Sequence, residues 1–274
     1  PPPSTRCTHR RQRQMCIRDS RGLAYKLSVL LERCSFAVAN ISIATNESYA
    51  RIAVSRGRMK RENVFVVRSG PDLRRVRRVP ENNDLKNGKS HLVAYVGVMG
   101  KQEGLDLLLE SVKYLVDQMR RRDIHFALVG GGTELEALKE YAKELEVEPY
   151  VTFFGRVPDD LLLEVLSTAD VCVNPDRVNE MNSMSTMNKI LEYMALGKPI
   201  VQYDLVEGRV SAGDSSLYAI PNDASDFARK IVELTDNPEM RKEMGDVGRI
   251  RIEESLSWHH QSKKLLEAYS ALYE

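Results

Sequence analysis

No global charge marks this sequence. Its 274 residues carry 40 Lys and Arg against 39 Asp and Glu, a formal net charge of +1. Proteins that hold nucleic acid do so with a basic field, so nucleic acid is not an expected partner. Long apolar runs are also lacking. None approaches the roughly 18–20 residues a spanning helix needs, and the first residues have no apolar core of the kind a secretion signal carries. The expectation is a cytoplasmic chain, at most peripheral at a membrane. Cysteine is sparse, at positions 7, 16, 34 and 172 with no C-x-x-C spacing. That excludes a disulfide framework and a zinc site, and no metal is expected. No pair of carboxylates stands out by spacing, as glycoside hydrolysis would need. The histidines at 125, 259 and 260 sit in apolar or helical contexts and read as structural.

Charge is nevertheless uneven along the chain. Arg6, Arg10, Arg11, Arg13 and Arg18 crowd residues 1–20, and Arg74, Arg75, Arg77 and Arg78 form a second run. The run at 74–78 reads as a solvated face. The first twenty residues show neither apolar period. Their string RQRQMCIRDS resembles a translated assembly scar, which predicts that the natural chain extends upstream; a genuine disordered basic tail is the other reading. Residues 21–71 hold a helical stretch (23–37), short strands at 41–45 and 63–67, and a helix between them that Asn46 opens. Residues 72–90 are polar, contain Pro80 and Gly88, and read as an interdomain linker.

From residue 91 a pattern begins and repeats. Strand-like runs at 91–97, 124–130, 150–155, 171–175 and 199–204 alternate with helical stretches at 104–119, 133–145, 158–167 and 185–196. A strand at 216–220 and helices at 224–235, 238–255 and 257–272 follow. The strands are near-continuous apolar runs, which marks burial on both faces of a parallel sheet. Strand–helix alternation predicts an α/β, doubly wound, Rossmann-like domain over 91–256, with ligands outside the carboxyl ends of the strands. The segment 257–274 reads as a C-terminal helix that crosses back to the N-terminal domain.

That rule directs attention to three loops. After the first strand comes Gly97-Val98-Met99-Gly100-Lys101-Gln102-Glu103-Gly104, and after the second Gly130-Gly131-Gly132-Thr133. Glycines there let backbone N–H groups approach a phosphate. Neither loop has the G-x-G-x-x-G or Walker spacing, which weighs against an NAD(P)-dependent enzyme. The third place is the helix predicted over Ser185–Leu196. Met187, Ile190, Leu191 and Met194 form its core stripe, and Ser185, Asn188, Lys189 and Glu192 form the opposite, polar one. The ordinary reading is a solvated face with a Lys–Glu pair worth about 0.2–0.5 kcal/mol. The alternative is a nucleotide diphosphate site, with pyrophosphate at Lys189 and the positive helix end and the ribose diol on the carboxylate.

The stretch STMNKILEYMALGKPIVQYDLVEGRVSAGDSSLYA resembles the donor-site region of family-four (group 1) GT-B glycosyltransferases. NVFVVRSGPD, YVGVMGKQEGLDLLLES, ALVGGGTELEAL and VTFFGRVP fall in the family's order. The resemblance covers roughly residues 22–272. It implies a GT-B fold, here a Rossmann-like donor domain with a truncated second Rossmann-like domain. It implies retaining, metal-independent transfer from a nucleotide-sugar, best guessed as UDP-linked, to a glycan or lipid-linked acceptor in polysaccharide biosynthesis, with no cofactor. Lys189 would carry the catalytic role, stabilising the leaving diphosphate. Gly97, Gly100, Gly131, Arg156, Ser185, Thr186, Asn188 and Glu192 would bind the donor, Glu192 through the ribose and Arg156 near the base. The family's first motif glutamate falls on Met184, and its usual diphosphate cations fall on Val98 and Glu103. Peripheral membrane contact would run through the acceptor domain. Left open are a nucleotide-binding domain of another enzyme class and a non-catalytic relative.

Overall fold

The computed structural model describes residues 22–273, and the basic segment 1–20, with Cys7 and Cys16, lies outside the described residues. The chain divides into two compact units, one up to Val66 together with the residues from Leu265, the other Val67–Lys264.

In the first unit, α1 (Leu23–Val38), β1 (Ser42–Ala44), α2 (Glu47–Ser55) and β2 (Val64–Val66) follow in order. β1 and β2 pair in parallel, with α2 as the crossover, and Ala44, Ala50, Ala53, Met59 and Val64 make a small core. The Asn46 side chain accepts from the Tyr49 N–H at 2.8 Å, which satisfies a helix-end donor as an N-cap should. α1 buries none of its residues.

The second unit carries the predicted doubly wound domain. Its strands are β3 (His91–Val96), β4 (Ile124–Val129), β5 (Val151–Gly155), β6 (Val171–Asn174), β7 (Ile200–Tyr203) and β8 (Ser216–Ala219). All pair in parallel, in the order β5-β4-β3-β6-β7-β8. This is the dinucleotide-fold order, which reverses direction between β3 and β6. Helices α3 (Leu105–Asp117), α4 (Leu135–Glu144) and α9 (Ala224–Thr235) cover one face; α5 (Asp159–Thr168) and α7 (Asn188–Ala195) cover the other. Two short helices, α6 (Glu180–Ser183) and α8 (Val206–Ala212), were not legible as periods. α10 (Pro238–Arg251) runs into a π-turn at Ile252–Leu256, and α11 (Trp258–Ser270) follows.

Residues 72–90 are not the linker their polarity suggested. Leu73, Val76 and Leu85 pack on the core under α5 and α7. The Val79 N–H donates to Ser167 Oγ at 3.1 Å and the Asn82 N–H to Thr168 Oγ1 at 2.9 Å. Arg78 donates to the carbonyls of Leu196 and Gly197, where a cation complements the end of α7. The second basic run is therefore partly a structural clasp.

The loops at the carboxyl edge are locked to each other. The Gly97 N–H donates to Val129 O at 3.0 Å, the Met99 N–H to Gly131 O at 3.1 Å, and the Gly130 N–H to Gly155 O at 2.8 Å. Gly130 has φ +135°, and a Cβ there would lie 1.8 Å from Gly97 O. Only glycine fits. Gly130→Ala should lower the unfolding free energy by about 2 kcal/mol or more, read by urea denaturation; a variant as stable as the parent would mean the two loops separate freely.

Candidate functional site

β3 and β6 diverge at the switch point, and the chain that follows each strand supplies the site. The two loops are stitched together. The Arg177 N–H and the Asn182 side-chain amide both donate to Gln102 O at 3.0 Å. Arg177 also pairs with Asp106 at the start of α3. Gly104, at φ +62°, sits so close to Pro175 that a Cβ would lie 2.1 Å from its carbonyl oxygen.

Asp176, next to that proline, is the residue that sequence reasoning missed. Its carboxylate is buried and lies 2.8 Å from Lys189 Nζ; the side chains are 3% and 11% exposed. Burial pushes the Asp176 carboxyl up from its ordinary value, and Lys189 pulls it back. The ammonium also stands 4.8 Å from the centre of the Tyr95 ring, within cation–π reach. Tyr95 is held by its own hydroxyl, which donates to Val98 O at 2.7 Å. A Cβ on Gly97 would lie 2.7 Å from the Tyr95 hydroxyl and 3.3 Å from Lys189 Cε, so a side chain there would press first on the tyrosine and then on the lysine arm. The only advance signal of Asp176 was its place, an acid two residues after the end of β6 at the switch point.

The polar stripe is shorter than its sequence spacing suggested. α7 begins at Asn188 with Met187 as its cap position, so Ser185 and Thr186 belong to the connection from α6. Ser185 Oγ donates to Met181 O at 2.8 Å, closing the turn behind it. Ser and Thr compete with the backbone for hydrogen bonds and favour such positions over a helix interior. Asn188, Lys189 and Glu192 remain on the helix, within one turn of its N-terminus. Met184, where the first motif glutamate would fall, ends α6.

Glu192 opens into a cavity of about 540 Å³ with Asn188 and Leu191 beside it. Ser69–Asp72, leucines of α5 and Trp258 form the other walls. Partial burial first, and then Asp159, raise the Glu192 carboxyl above its ordinary value. The wall at 69–72 is fastened down. The Arg68 N–H donates to Gln261 Oε1 at 3.0 Å, its guanidinium meets the buried Glu207 at 3.3 Å, and the Trp258 N–H donates to Pro71 O at 3.0 Å. Sequence reading saw only a turn there.

The remaining candidates divide. Gly131 lies against the Arg156 side chain, 3.4 Å from a Cβ position to Cγ, which joins the loops after β4 and β5; Arg156 itself is exposed. Gly100 stands beside Glu103, and Val98 is 61% exposed. The backbone N–H groups of Gly97 and Gly130 are engaged in the loop-to-loop bonds described above. Asn174, at the end of β6 on the face that α7 covers, is fully buried with neither amide atom hydrogen-bonded. Polar capacity therefore remains under the start of α7.

Residues 90–237, more than half of the chain, match the family described as glycosyl transferases group 1. The chain belongs to this family. Membership removes the reading as a nucleotide-binding domain of another enzyme class. Among curated relatives, a D-inositol 3-phosphate glycosyltransferase of Thermomonospora curvata is 27% identical over 265 residues, covering 89% of this chain and 60% of that protein. The Nocardia farcinica enzyme of the same name is also 27% identical, and the chain spans 54% of it. Solved structures share the fold. Anabaena Alr3699/HepE, in complex with UDP and glucose, superposes with a TM-score of 0.75 at 15% identity, over 90% of this chain and 67% of that one. Sucrose-phosphate synthase from Thermosynechococcus elongatus gives 0.73 at 18%, over 93% and 64%. Among the described residues no helix is long and apolar enough to cross a membrane.

Breaking the buried pair from the carboxylate side should be costly. Asp176→Ala leaves an uncompensated ammonium and should destabilise by about 3–5 kcal/mol. Adding Lys189→Met should restore most of that. Chemical denaturation of the single and double variants measures it, and a single variant of unchanged stability would show that the pair is not coupled.

Proposed function

We propose that this chain carries the donor half of a retaining glycosyltransferase that moves a sugar from a UDP-linked donor to a glycan or lipid-linked acceptor in polysaccharide assembly. One observation carries the reading. At the point where the sheet order reverses, helix α7 brings a cation to the carboxyl ends of β3 and β6, and one turn later a carboxylate to a nucleotide-sized cavity.

Each group has a task that fits its chemistry. The Lys189 ammonium, with the positive end of α7, neutralises charge on the departing diphosphate. A charge-assisted contact that strengthens as the bond breaks lowers the barrier rather than only tightening binding. The Glu192 carboxylate accepts from the ribose hydroxyls, with Asn188 beside it. Gly100, Ser185 and Thr186 line the phosphate path, and Gly131 with Arg156 meets an edge of the base. Acceptor recognition, and any contact with a membrane surface, falls to the N-terminal half. The UDP and glucose bound by the structurally similar Anabaena protein support a UDP-linked donor.

Calorimetry with UDP, GDP, ADP and NAD tests this. UDP should bind best. Lys189→Ala and Glu192→Ala should each remove one charge-assisted contact of about 1.5–3 kcal/mol, weakening UDP by roughly ten- to a hundredfold. Lys189→Ala should be tolerated by the fold, because the Asp176 carboxyl, already raised by burial, can take a proton. Folded protein that binds no diphosphate, or binding indifferent to both changes, would sink the assignment.

A further inference from the structure

Lys189 is not waiting free for a ligand. Its ammonium is committed to Asp176 at 2.8 Å, and the partner carboxylate has almost no contact with water. Among the described residues, the groups around Asp176 leave it no substitute cation. From α7 comes Lys189 itself; from β3 comes the Tyr95 phenol, whose hydrogen bond goes to Val98 O; from the loop after β3 comes Glu103, which is also acidic. In its own loop, Arg177 is turned to Asp106. A nucleoside diphosphate arriving at Lys189 would therefore compete with Asp176 for one ammonium.

We propose that Asp176 is the resting counter-ion of Lys189, and that it takes up a proton from solvent when a nucleoside diphosphate draws the ammonium away. The inference rests on the assignment of Lys189 to the diphosphate. Its charge balance is simple. Before binding, carboxylate and ammonium neutralise each other. After binding, the ammonium faces the diphosphate, and a proton on Asp176 removes a carboxylate that would otherwise stand buried and unpaired beside a second anion. Both changes push the same way: losing Lys189 withdraws the interaction that holds the Asp176 carboxyl down, and a nearby diphosphate raises it further. Departure of the nucleotide returns the proton and re-forms the pair. Asp176 is a positioning residue in this scheme, holding Lys189 where β3 and β6 part and releasing it as a neutral partner.

Titration calorimetry of the 274-residue chain with UDP, in buffers of low and high ionisation enthalpy, counts the protons exchanged. Mildly alkaline conditions keep the terminal phosphate of UDP, which titrates near about pH 6, almost fully ionised. The wild-type chain should take up protons on binding UDP, more of them as the pH is lowered toward neutral, in excess of what the nucleotide's own phosphate exchanges. Asp176→Asn should take up none and bind UDP at least as tightly. Lys189→Ala, in which UDP no longer draws a counter-ion from Asp176, should bind weakly and take up fewer protons than the wild type. If UDP binds the wild type with no proton uptake while Lys189→Ala still weakens it, the proposal is overturned and the assignment of Lys189 stands. If Lys189→Ala binds UDP as well as the wild type, the assignment fails and the proposal with it. The wild-type proton count needs no variant, so it decides even if Asp176→Asn folds poorly.

Discussion

The Asp176 carboxylate and the Lys189 ammonium are both withdrawn from water, and neither could be so alone. Removing such an ion from solvent costs several kcal/mol, and only a close partner in a low-dielectric setting offsets it. That requirement fixes much of the surrounding geometry. β6 must end early enough for Pro175 and Asp176 to turn inward. α7 must start late enough for Lys189 to lie within a turn of its positive end. Tyr95 must be buried below the ammonium, and position 97 must be bare of a side chain, which would run into the Tyr95 hydroxyl beside the lysine arm.

The glycines serve that geometry differently from the way their sequence suggests. A glycine-rich loop at a strand end invites a phosphate, but Gly97 and Gly130 use their N–H groups on neighbouring loops. Their lack of side chains lets backbone meet backbone, and the result is a rigid carboxyl edge. On the proposed assignment rigidity there matters, because a leaving-group cation displaced by about an ångström loses much of its effect. The same logic applies at the far wall of the cavity, where Arg68, Glu207, Gln261 and Trp258 fasten a segment that would otherwise be a loose turn.

The sheet was legible because its signal is redundant. Six apolar runs mark the strands, the four central ones (β3, β4, β6 and β7) buried nearly throughout, and short loops between strand and helix leave little choice of topology. The site was legible only in part. Lys189 and Glu192 showed themselves by helical spacing, but the same spacing wrongly drew Ser185 into the helix, since three-residue periodicity cannot tell a helix start from the turn before it. Asp176 has no periodic partner, so nothing local distinguishes it from any acid in a loop; its meaning comes from strand order, which brings residues 97, 176 and 189 together. The segment 72–90 failed for the converse reason. Its three anchoring side chains, Leu73, Val76 and Leu85, are too sparse to form a period, yet two hydroxyls of α5 and the end of α7 hold it in place.

The departures from the family pattern make sense as one electrostatic design. By the resemblance, cations usually placed after the first strand and before the last glycine of the loop are here Val98 and Glu103, and the first motif glutamate is Met184. If the site takes a nucleotide-sugar as proposed, it does so with two fewer positive charges than the family pattern supplies, and its lysine is neutralised at rest by Asp176. A donor approaching it meets little net attraction beyond the helix end. Interactions that are weak with the bound donor but grow as negative charge builds on the departing diphosphate are the ones that accelerate transfer. On the proposed assignment, a single exchangeable ammonium, shared between a buried carboxylate and a leaving group, would have that property. Several fixed cations would hold donor and product alike, and product release would then limit turnover.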